Sequence, residues 1–341
     1  MKNILIIGAG RSANTLIDYL LKESSINNWI ITIADFNAEL AENASSGHKN
    51  SRPIFFDINS TVQRESEIRK SDIVVSMLPS NMHHIVAKDC LKFQKDLVTA
   101  SYVSDEINNY HDLAKKNNII FLNEIGLDPG IDHMSAMKVI DELKSKQAKI
   151  ISFKSFCGGL VHPESDNNPW NYKFTWNPRN VILAGQGISK FLESKKIKKI
   201  NYESLFKNIE KINVLDQGEF EAYANRDSLS YISSYGLENI STMFRGTLRK
   251  VGFCASWNIF VKLGLTRDDY VIDNSKDLSV REYLSRFLPN DENLSIEERF
   301  CKFSSIKITS EEFEKFKWLG LFSDKRFFLE NATPAQILQK I

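Results

Sequence analysis

The feature that most constrains this chain is a glycine-rich loop near its N-terminus. In KNILIIGAGRSANTLIDYLL, Gly8, Gly10 and Ala13 follow an apolar run and precede a stretch with helical apolar spacing. This G-x-G-x-x-A arrangement, placed between a strand and a helix, is typical of a turn that carries the pyrophosphate of a dinucleotide. Gly8 permits the tight turn, Gly10 lets the backbone approach the phosphates, and Ala13 allows close helix–strand packing. The loop therefore predicts a dinucleotide-binding domain.

Three further residues near this loop are candidates for cofactor contact. Arg11 and Ser12 lie within the loop, and Ser12 either caps the following helix or touches a phosphate. Asp35 ends the second predicted strand, where a carboxylate accepts hydrogen bonds from ribose hydroxyls; the alternative is a turn residue. A carboxylate there repels the 2′-phosphate of NADP, and the neighbouring Phe36 offers no cation. We therefore expect NAD as the cofactor, with NADP less favoured.

Residues 1–125 alternate short apolar runs with helical patterns. The runs predict six strands, at Asn3–Ile7, Trp29–Ile33, Ile54–Asp57, Ile73–Leu78, Leu97–Thr99 and Ile119–Leu122. Such Ile-, Val- and Leu-rich runs are typical of parallel strands buried on both faces, so we predict an α/β fold with a doubly wound parallel sheet, a Rossmann domain. Ligands bind at the carboxyl ends of these strands. Asp57 and Leu78, which end two predicted strands, are therefore further cofactor candidates.

The pattern changes after Gly126 and predicts a second domain with a mixed α+β sheet for substrate binding, over residues 126–276. A helix is predicted in MSAMKVIDELKSK and a strand in KIISFKSFC. Further predicted strands are Asn213–Asp216, Gly218–Tyr223 and Thr242–Lys250, and further predicted helices are Val181–Lys195 and Cys254–Leu263. Residues 277–341 are predicted as a helix-rich C-terminal part, with helices at Val280–Leu288, Glu311–Lys317 and Ala335–Ile341.

Composition limits the classes of partner. The 341 residues exceed the roughly 250–300 that one core usually contains, and the net charge of +1 gives no basis for a nucleic-acid partner. The four cysteines have neither paired nor metal-ligand spacing, so we expect no metal and a reducing compartment. The first apolar run is too short for a signal peptide or a membrane span. We expect a cytoplasmic protein with no membrane partner; a homodimer stays open.

Several polar strings follow that no general motif explains: EIGLDPGIDH, the segment CGGLVHPESDNNPWNYKFTW, NRDS and RGTLR. With these strings the chain resembles the glutamate-forming saccharopine dehydrogenase family from Lys2 to about Leu265, and the remaining tail resembles it only loosely. The resemblance implies oxidation of saccharopine with NAD and water to L-glutamate, 2-aminoadipate 6-semialdehyde and NADH, or the reverse reaction, in lysine metabolism. The implied partner is thus a small amino-acid substrate.

The resemblance also implies roles for particular residues. Ser101, Tyr102 and Asp128 would lie beside the reacting carbon, with Cys157 close by. The residues that would bind the substrate's carboxylates are Asn225, Arg226, Arg245 and Thr247. Guanidinium groups suit a tricarboxylate because they pair with carboxylates through two hydrogen bonds.

Alternatives remain for several of these residues. Asp128 acts either as a base or, as we prefer, as electrostatic support for the amine, since an ordinary carboxylate is a weak base at pH 7. Tyr102 relays a proton, orders water or is structural, and Cys157 either carries a proton or is a small packed side chain. For Arg226 the structural alternative is an ion pair with Asp227 or another surface acid, and for Arg245 it is a cation at a strand edge. We interpret the His83–His84 pair and His133 as structural.

Two other functions stay open from the sequence. A reductase similar to carboxynorspermidine synthase shares the two-domain plan. The resemblance also implies a longer C-terminal segment that helps to enclose the nicotinamide, whereas this chain ends at Ile341. That difference motivates the second alternative, a catalytically silent dinucleotide-binding module.

Overall fold

The computed structural model describes all residues, Met1–Ile341. The chain divides into two compact units, Met1–Val139 and Ile140–Ile341. No helix has the length and apolar character that a membrane span requires.

The first unit contains a six-stranded parallel sheet with the order β3-β2-β1-β4-β5-β6. Its strands are β1 (Lys2–Ile7), β2 (Trp29–Asp35), β3 (Ser51–Phe55), β4 (Ile73–Ser76), β5 (Asp96–Thr99) and β6 (Phe121–Leu122). This order confirms the predicted doubly wound sheet. Three strand ends differ from the prediction, because β2 ends at Asp35, β3 at Phe55 and β4 at Ser76. Asp57 and Leu78 therefore lie two residues beyond their strands.

Helices cover both faces of this sheet, as the alternation of apolar runs predicts. They are α1 (Asn14–Asn27), α2 (Ala38–Ser45), α3 (Thr61–Lys70), α4 (His83–Phe93), α5 (Asp105–Asn108) and α6 (His111–Lys116). The next helix, α7 (Ile131–Ser145), contains the division between the two units after Val139. Alternate residues of β1 enter different apolar clusters: Leu5 and Ile7 pack into one, Ile4 and Ile6 into the other. The sheet is thus buried on both sides, which explains why its strands are continuously apolar.

The second unit is built around β12, the longest strand. Its strands are β7 (Ser152–Cys157), β8 (Ile188–Glu193), β9 (Lys196–Asn201), β10 (Ile209–Asn213), β11 (Glu219–Ala224) and β12 (Thr242–Lys250). The antiparallel order is β10-β11-β12-β8-β9, and β7 pairs with β12 in parallel. This confirms the mixed sheet and the predicted strand Thr242–Lys250.

Two predicted elements of the second unit are wrong. The helix predicted at Val181–Lys195 ends at Ile182, and β8 follows. Gly185 and Gly187 have φ of 84° and 94°, a left-handed conformation that interrupts a helix. The strand predicted at Asn213–Asp216 is instead the end of β10 and a 3-10 turn, because the chain reverses there into β11.

All helices of the second unit except the short one at Tyr231–Ser234 contribute to one large apolar core. The helices of this unit are α8 (Pro178–Ile182), α9 (Tyr202–Leu205), α10 (Tyr231–Ser234), α11 (Phe253–Leu263), α12 (Val280–Ser285), α13 (Ile296–Ser304), α14 (Glu311–Trp318) and α15 (Pro334–Lys340). Trp170 stacks on Phe260 of α11 with ring centroids 5.5 Å apart, and its indole N–H donates to the carbonyl of Lys315 at 2.9 Å. The C-terminal helices therefore belong to the same core as α11.

Candidate functional site

The glycine loop has the geometry that a dinucleotide requires. Gly8 has a φ of 106°, and a Cβ on it would lie 3.0 Å from the carbonyl oxygen of Met77. A Cβ on Gly10, in contrast, would have no protein atom within 4 Å. Since Gly10 is not required by packing, its lack of a side chain leaves open space beside the start of α1. Ala13 is buried where α1 packs against the sheet. The loop residues therefore fit the phosphates of a dinucleotide.

Asp35 has a different orientation from the one that the sequence argument assumed. One carboxylate oxygen accepts the N–H of Ala9 at 2.7 Å, and the other accepts the N–H of Asn37 at 2.8 Å. Asp35 thus ties the glycine loop to the end of β2 instead of turning both oxygens towards a ribose.

Of the two loop side chains, Ser12 does not cap α1. The N-cap residue is Ala13, and no side chain caps the helix. Ser12 and Arg11 are both exposed. The capping alternative for Ser12 is therefore wrong, and contact of either side chain with the cofactor remains a prediction.

Asp57 and Leu78 have identifiable local roles. A carboxylate oxygen of Asp57 accepts the N–H of Asn59 at 2.9 Å, as in a turn. Leu78 is half-buried and packs against the apolar cluster that includes Leu5 and Ile7. For both residues, contact with a cofactor stays a prediction.

A buried polar network lies where β4 and β5 end. Nδ1 of His83 lies 2.8 Å from Oγ of Ser76, the last residue of β4, and Nε2 lies 2.7 Å from Oγ of Ser101. Thr99, the last residue of β5, places its hydroxyl 3.2 Å from Nε2. The interpretation of His83 as merely structural therefore missed its link to a predicted substrate residue. Hydroxyl residues at two adjacent strand ends were the available signal.

Tyr102 and Asp128, two predicted catalytic residues, are brought together by the fold. The hydroxyl of Tyr102 donates to Asp128 Oδ1 at 2.9 Å. The turn that carries Asp128 closes through Gly126, whose N–H donates to the carbonyl of Pro129 at 2.8 Å. Tyr102 and Asp128 are both half-buried, so a carboxylate and a phenol meet at a partly accessible position.

A second polar pair lies close to this one in the chain. Nε2 of His133 lies 3.0 Å from a carboxylate oxygen of Glu124, whose other oxygen accepts the N–H of Val103. His133 is in the first turn of α7, as the sequence indicates. The pair links this turn to the segment after β5, where Ser101 and Tyr102 lie.

In the second unit, one face of β12 presents several of the predicted substrate residues. Arg245, Thr247 and Arg249 alternate along β12 and therefore share a face. Thr247 is in register with Cys157 at the end of β7 and with Tyr223 of β11. The sheet thus places Cys157 and Thr247 side by side, although 90 positions separate them in the chain.

Arg245 and Arg226 differ in environment. Arg245 is 3% exposed, with its guanidinium 4.3 Å from the centre of the Tyr231 ring. Arg226 is exposed and has a φ of 46°, in the left-handed region that non-glycine residues adopt infrequently. Asp227 pairs with Lys190, 3.7 Å away. Contact of Arg226 with the substrate stays a prediction.

Asn225 follows β11 directly and fixes the chain beside Arg245. Its N–H donates to the carbonyl of Arg245 at 2.8 Å. This hydrogen bond extends the pairing of β11 with β12 by one residue. Asn225 and Arg226 therefore lie directly after β11, beside Arg245 of β12.

Arg249 is a buried cation that the sequence analysis passed over. It is 6% exposed, its Nε has no hydrogen-bond partner, and its guanidinium lies 4.7 Å from the ring of Tyr172. No carboxylate pairs with it. Its place in the string RGTLR, two residues after Thr247, was the signal that could have identified it. Nowhere in the structure do three or more His, Cys, Asp or Glu side chains form a group suited to a metal ion.

Comparison with known proteins agrees with this organisation. Residues 4–122 match the family model described as the saccharopine dehydrogenase NADP binding domain, and residues 126–341 match the saccharopine dehydrogenase C-terminal domain. The chain belongs to the saccharopine dehydrogenase family. The C-terminal match continues past Leu265 to Ile341. The tail, whose short sequence strings resemble the family only loosely, is therefore part of the match.

Relatives of this saccharopine dehydrogenase family member include proteins of fungi and plants. It is 35% identical to saccharopine dehydrogenase [NADP(+), L-glutamate-forming] of Schizosaccharomyces pombe, over 95% of this chain and 73% of that protein. It is 36% identical to alpha-aminoadipic semialdehyde synthase of Arabidopsis thaliana, over 84% of this chain and 29% of that protein. The chain thus spans about three quarters of the fungal relative and less than a third of the plant one.

A solved structure supports the same family fold. The apo saccharopine dehydrogenase (L-Glu forming) from Saccharomyces cerevisiae matches with a TM-score of 0.84 and 30% identity, over 99% of this chain and 77% of that chain. The similarity covers nearly the whole of this chain. Sequence similarity and fold similarity therefore support the same family assignment.

The expected preference for NAD over NADP is wrong for this saccharopine dehydrogenase family member. Its first unit matches an NADP binding domain, and the fungal relatives carry NADP(+) in their names. Each oxygen of Asp35 accepts one backbone N–H group, from Ala9 and from Asn37. These two N–H groups partly offset the negative charge on which the expected repulsion of the 2′-phosphate depends.

Proposed function

We propose that this chain catalyses the NADP-dependent interconversion of saccharopine with L-glutamate and 2-aminoadipate 6-semialdehyde. In the oxidative direction saccharopine, NADP⁺ and water give the two products, NADPH and a proton. The observation that carries the proposal is the match to glutamate-forming saccharopine dehydrogenases of fungi over 95% of the chain. These relatives favour this reaction over that of a carboxynorspermidine synthase-like reductase.

NADP⁺, when bound, supplies the hydride acceptor for the reaction. We assign its pyrophosphate to the loop of Gly8 and Gly10, because the start of α1 offers backbone N–H groups and a positive helix end. The open space beside Gly10 supports this assignment. Arg11 and Ser12 are the exposed polar side chains of the same loop.

Asp128 and Tyr102 are assigned to the reacting amine. Oxidation of a secondary amine develops positive charge on nitrogen as the imine forms, and a nearby carboxylate stabilises that charge. The hydrogen bond from Tyr102 holds Asp128 in one orientation. Tyr102 can also order the water that hydrolyses the imine, since a phenol both donates and accepts. Asp128 therefore acts by electrostatics and Tyr102 by positioning.

The second unit is assigned to recognition of the substrate's carboxylates. Saccharopine has three carboxylates, and Arg226 and Arg245 supply planar guanidinium groups suited to them. Asn225 and Thr247 add neutral hydrogen-bonding groups. Cys157, in register with Thr247, is assigned a place beside the substrate and no nucleophilic role.

A paired assay tests the proposal. Titration of the protein with NADPH by fluorescence should give a dissociation constant, and incubation with saccharopine and NADP⁺ should produce NADPH absorbance. Glutamate with the semialdehyde should consume NADPH in the reverse direction. Cofactor binding without turnover would instead support a catalytically silent module. Turnover of an aldehyde with a diamine, but not with glutamate, would support the carboxynorspermidine-type alternative.

A further inference from the structure

His83 has the features of a side chain that controls another residue. It is the first residue of α4 and is 2% exposed. Its two ring nitrogens face two serine hydroxyls, Ser76 at 2.8 Å and Ser101 at 2.7 Å. Ser76 is also buried, whereas Ser101 is half-buried and in the segment that carries Tyr102. The imidazole thus connects the interior of the sheet to a position that a ligand can reach.

The ring of His83 is neutral. Burial, and to a smaller extent the nearby His84, lower its pKa to about 4. A neutral imidazole has one N–H donor and one acceptor nitrogen. Its two serine neighbours must therefore have opposite hydrogen-bonding roles.

The surroundings of Ser76 decide which nitrogen carries the proton. Ser76 is buried, and its hydroxyl has His83 Nδ1 as its only hydrogen-bond partner. A buried hydroxyl that did not donate would leave its hydrogen unsatisfied, at a cost of about 1–3 kcal/mol. Ser76 therefore donates to Nδ1, the proton lies on Nε2, and Nε2 donates to the hydroxyl oxygen of Ser101. The hydroxyl of Thr99, which is also buried and lies 3.2 Å from Nε2 and 3.4 Å from Nδ1, then has Nδ1 as its acceptor.

The consequence is a fixed direction for the hydroxyl of Ser101. Its oxygen receives the N–H of His83, and its backbone N–H is directed to the hydroxyl oxygen of Thr99, 3.4 Å away. The hydrogen of the Ser101 hydroxyl has no acceptor in the structure. It is therefore available to an acceptor on a ligand.

We propose that His83 is a positioning residue that orients Ser101 as a hydrogen-bond donor to a carboxylate oxygen of the substrate. This inference rests on the proposed function, because it assigns Ser101 to the same substrate. With the opposite tautomer, Ser101 would donate to His83 and could only accept from a ligand. The Nε2–H tautomer thus selects a carboxylate and disfavours an ammonium group at this position.

A double-mutant cycle with Ser101 tests the proposal. Ser101→Ala should raise the KM for saccharopine about tenfold, as expected for the loss of a hydrogen bond to a charged group. His83→Leu should raise it by about five- to tenfold in the wild-type background and by less than about twofold in the Ser101→Ala background. His83→Gln, which keeps an N–H donor near the position of Nε2, should restore most of the affinity. The kcat and the dissociation constant of NADPH should change less than about threefold.

The cycle separates positioning from general support of the fold. If His83 only stabilised the sheet, His83→Leu would lower activity equally with and without Ser101, through a lower kcat from the smaller folded fraction and with an unchanged KM. Additive effects of the two substitutions would therefore overturn the proposal. So would a His83→Gln variant that folds as well as wild type and is as impaired as His83→Leu.

A second measurement does not depend on activity. In ¹⁵N NMR of the full chain with labelled histidines, the His83 resonances, assigned with His83→Gln, should show a protonated Nε2 and an unprotonated Nδ1 between pH 6 and 8. A protonated Nδ1, or a ring that gains a second proton in this range, would overturn the proposal. A chain with the expected tautomer but no turnover of saccharopine would contradict the proposed function and not the state of His83.

Discussion

At the scale of single residues, the candidate site combines side chains that the sequence identifies with contacts that it does not. Tyr102 and Asp128 were expected at the reacting carbon, and the fold joins them by a hydrogen bond of 2.9 Å. Asp35 was expected at a ribose, yet it accepts two backbone N–H groups. Residue type therefore predicts the chemistry that a side chain can perform, whereas its neighbours decide what it does.

Asp128→Asn should lower kcat for saccharopine by at least about tenfold, because the substitution removes the negative charge that supports the transition state and keeps the shape of the side chain. The hydrogen bond from Tyr102 can still be made to the amide oxygen. Steady-state kinetics give kcat, and circular dichroism checks the fold. A folded Asp128→Asn protein with an unchanged kcat would mean that Asp128 is only a turn residue.

Arg226→Ala should raise the KM for saccharopine by roughly ten- to hundredfold, because a charge-assisted hydrogen bond contributes about 1.5–3 kcal/mol. The dissociation constant of NADPH should stay nearly unchanged. Arg286→Ala is the matched control, since Arg286 is an exposed arginine of the same unit with no assigned role. A KM within about twofold of wild type would contradict the assignment of Arg226.

Asp35→Ser should weaken NADPH and NADH by a similar factor of about tenfold, because Ala9 loses the acceptor that holds the glycine loop. Asp35→Asn keeps one oxygen and should be affected less. Fluorescence titration with each cofactor measures both constants. A loss confined to NADH would show that Asp35 acts through the ribose after all, against the geometry found here.

At the scale of elements, the turn before α7 depends on Gly130. Its φ is 149°, and a Cβ on it would lie 2.0 Å from the carbonyl oxygen of Gly126. The neighbouring chain cannot move without disturbing Gly126, whose backbone closes the turn that carries Asp128. This close approach of two backbone segments is the reason that the LDPGID string has a glycine at this position.

Gly130→Ala should therefore lower kcat together with the Tm, through displacement of the turn and strain of about 1–3 kcal/mol. Gly159→Ala is the control, because a Cβ there would meet no atom within 4 Å and its φ is not in the left-handed region. Thermal unfolding followed by circular dichroism gives the Tm. Equal behaviour of the two variants would contradict the importance of the Gly130–Gly126 contact.

At the scale of the whole molecule, a cluster of buried aromatic side chains packs the C-terminal helices against the rest of the second unit. Phe316 of α14 is fully buried and contacts Trp170, Phe260 and Phe300 with ring centroids 4.8–5.4 Å apart. These residues come from four separate segments of the second unit. The C-terminal helices therefore contribute to the core around α11.

Phe316→Ala should lower the free energy of unfolding by about 3–5 kcal/mol, because it removes a large buried side chain and leaves a cavity among aromatic rings. Trp318→Ala, two residues later, should change it by less than about 0.5 kcal/mol, since Trp318 is 57% exposed. Urea unfolding of both variants measures the difference. Similar losses for the two variants would contradict the packing described for α14.

The sequence by itself determined the features that depend on short-range patterns. The glycine loop and the six apolar runs predict the Rossmann sheet and its strands, because burial on both faces requires continuous apolar residues. Ser104 before the acidic Asp105 and Glu106 is a typical helix N-cap, and its hydroxyl accepts the N–H of Ile107 at 3.3 Å. The strings around Asp128 and Arg245 identified the family.

Only the tertiary structure decided which groups meet. The register of β7 with β12 places Cys157 beside Thr247, and the ends of β4 and β5 bring Ser76 and Ser101 to the two nitrogens of His83. Residues Ile188–Glu193 lie in a stretch with helical apolar spacing, yet their pairing with β9 and β12 makes them strand β8. Local propensity is worth a few tenths of a kcal/mol per residue, whereas burial and hydrogen bonds between distant segments are worth more. For this reason long-range contacts determine how the residues of the site are oriented.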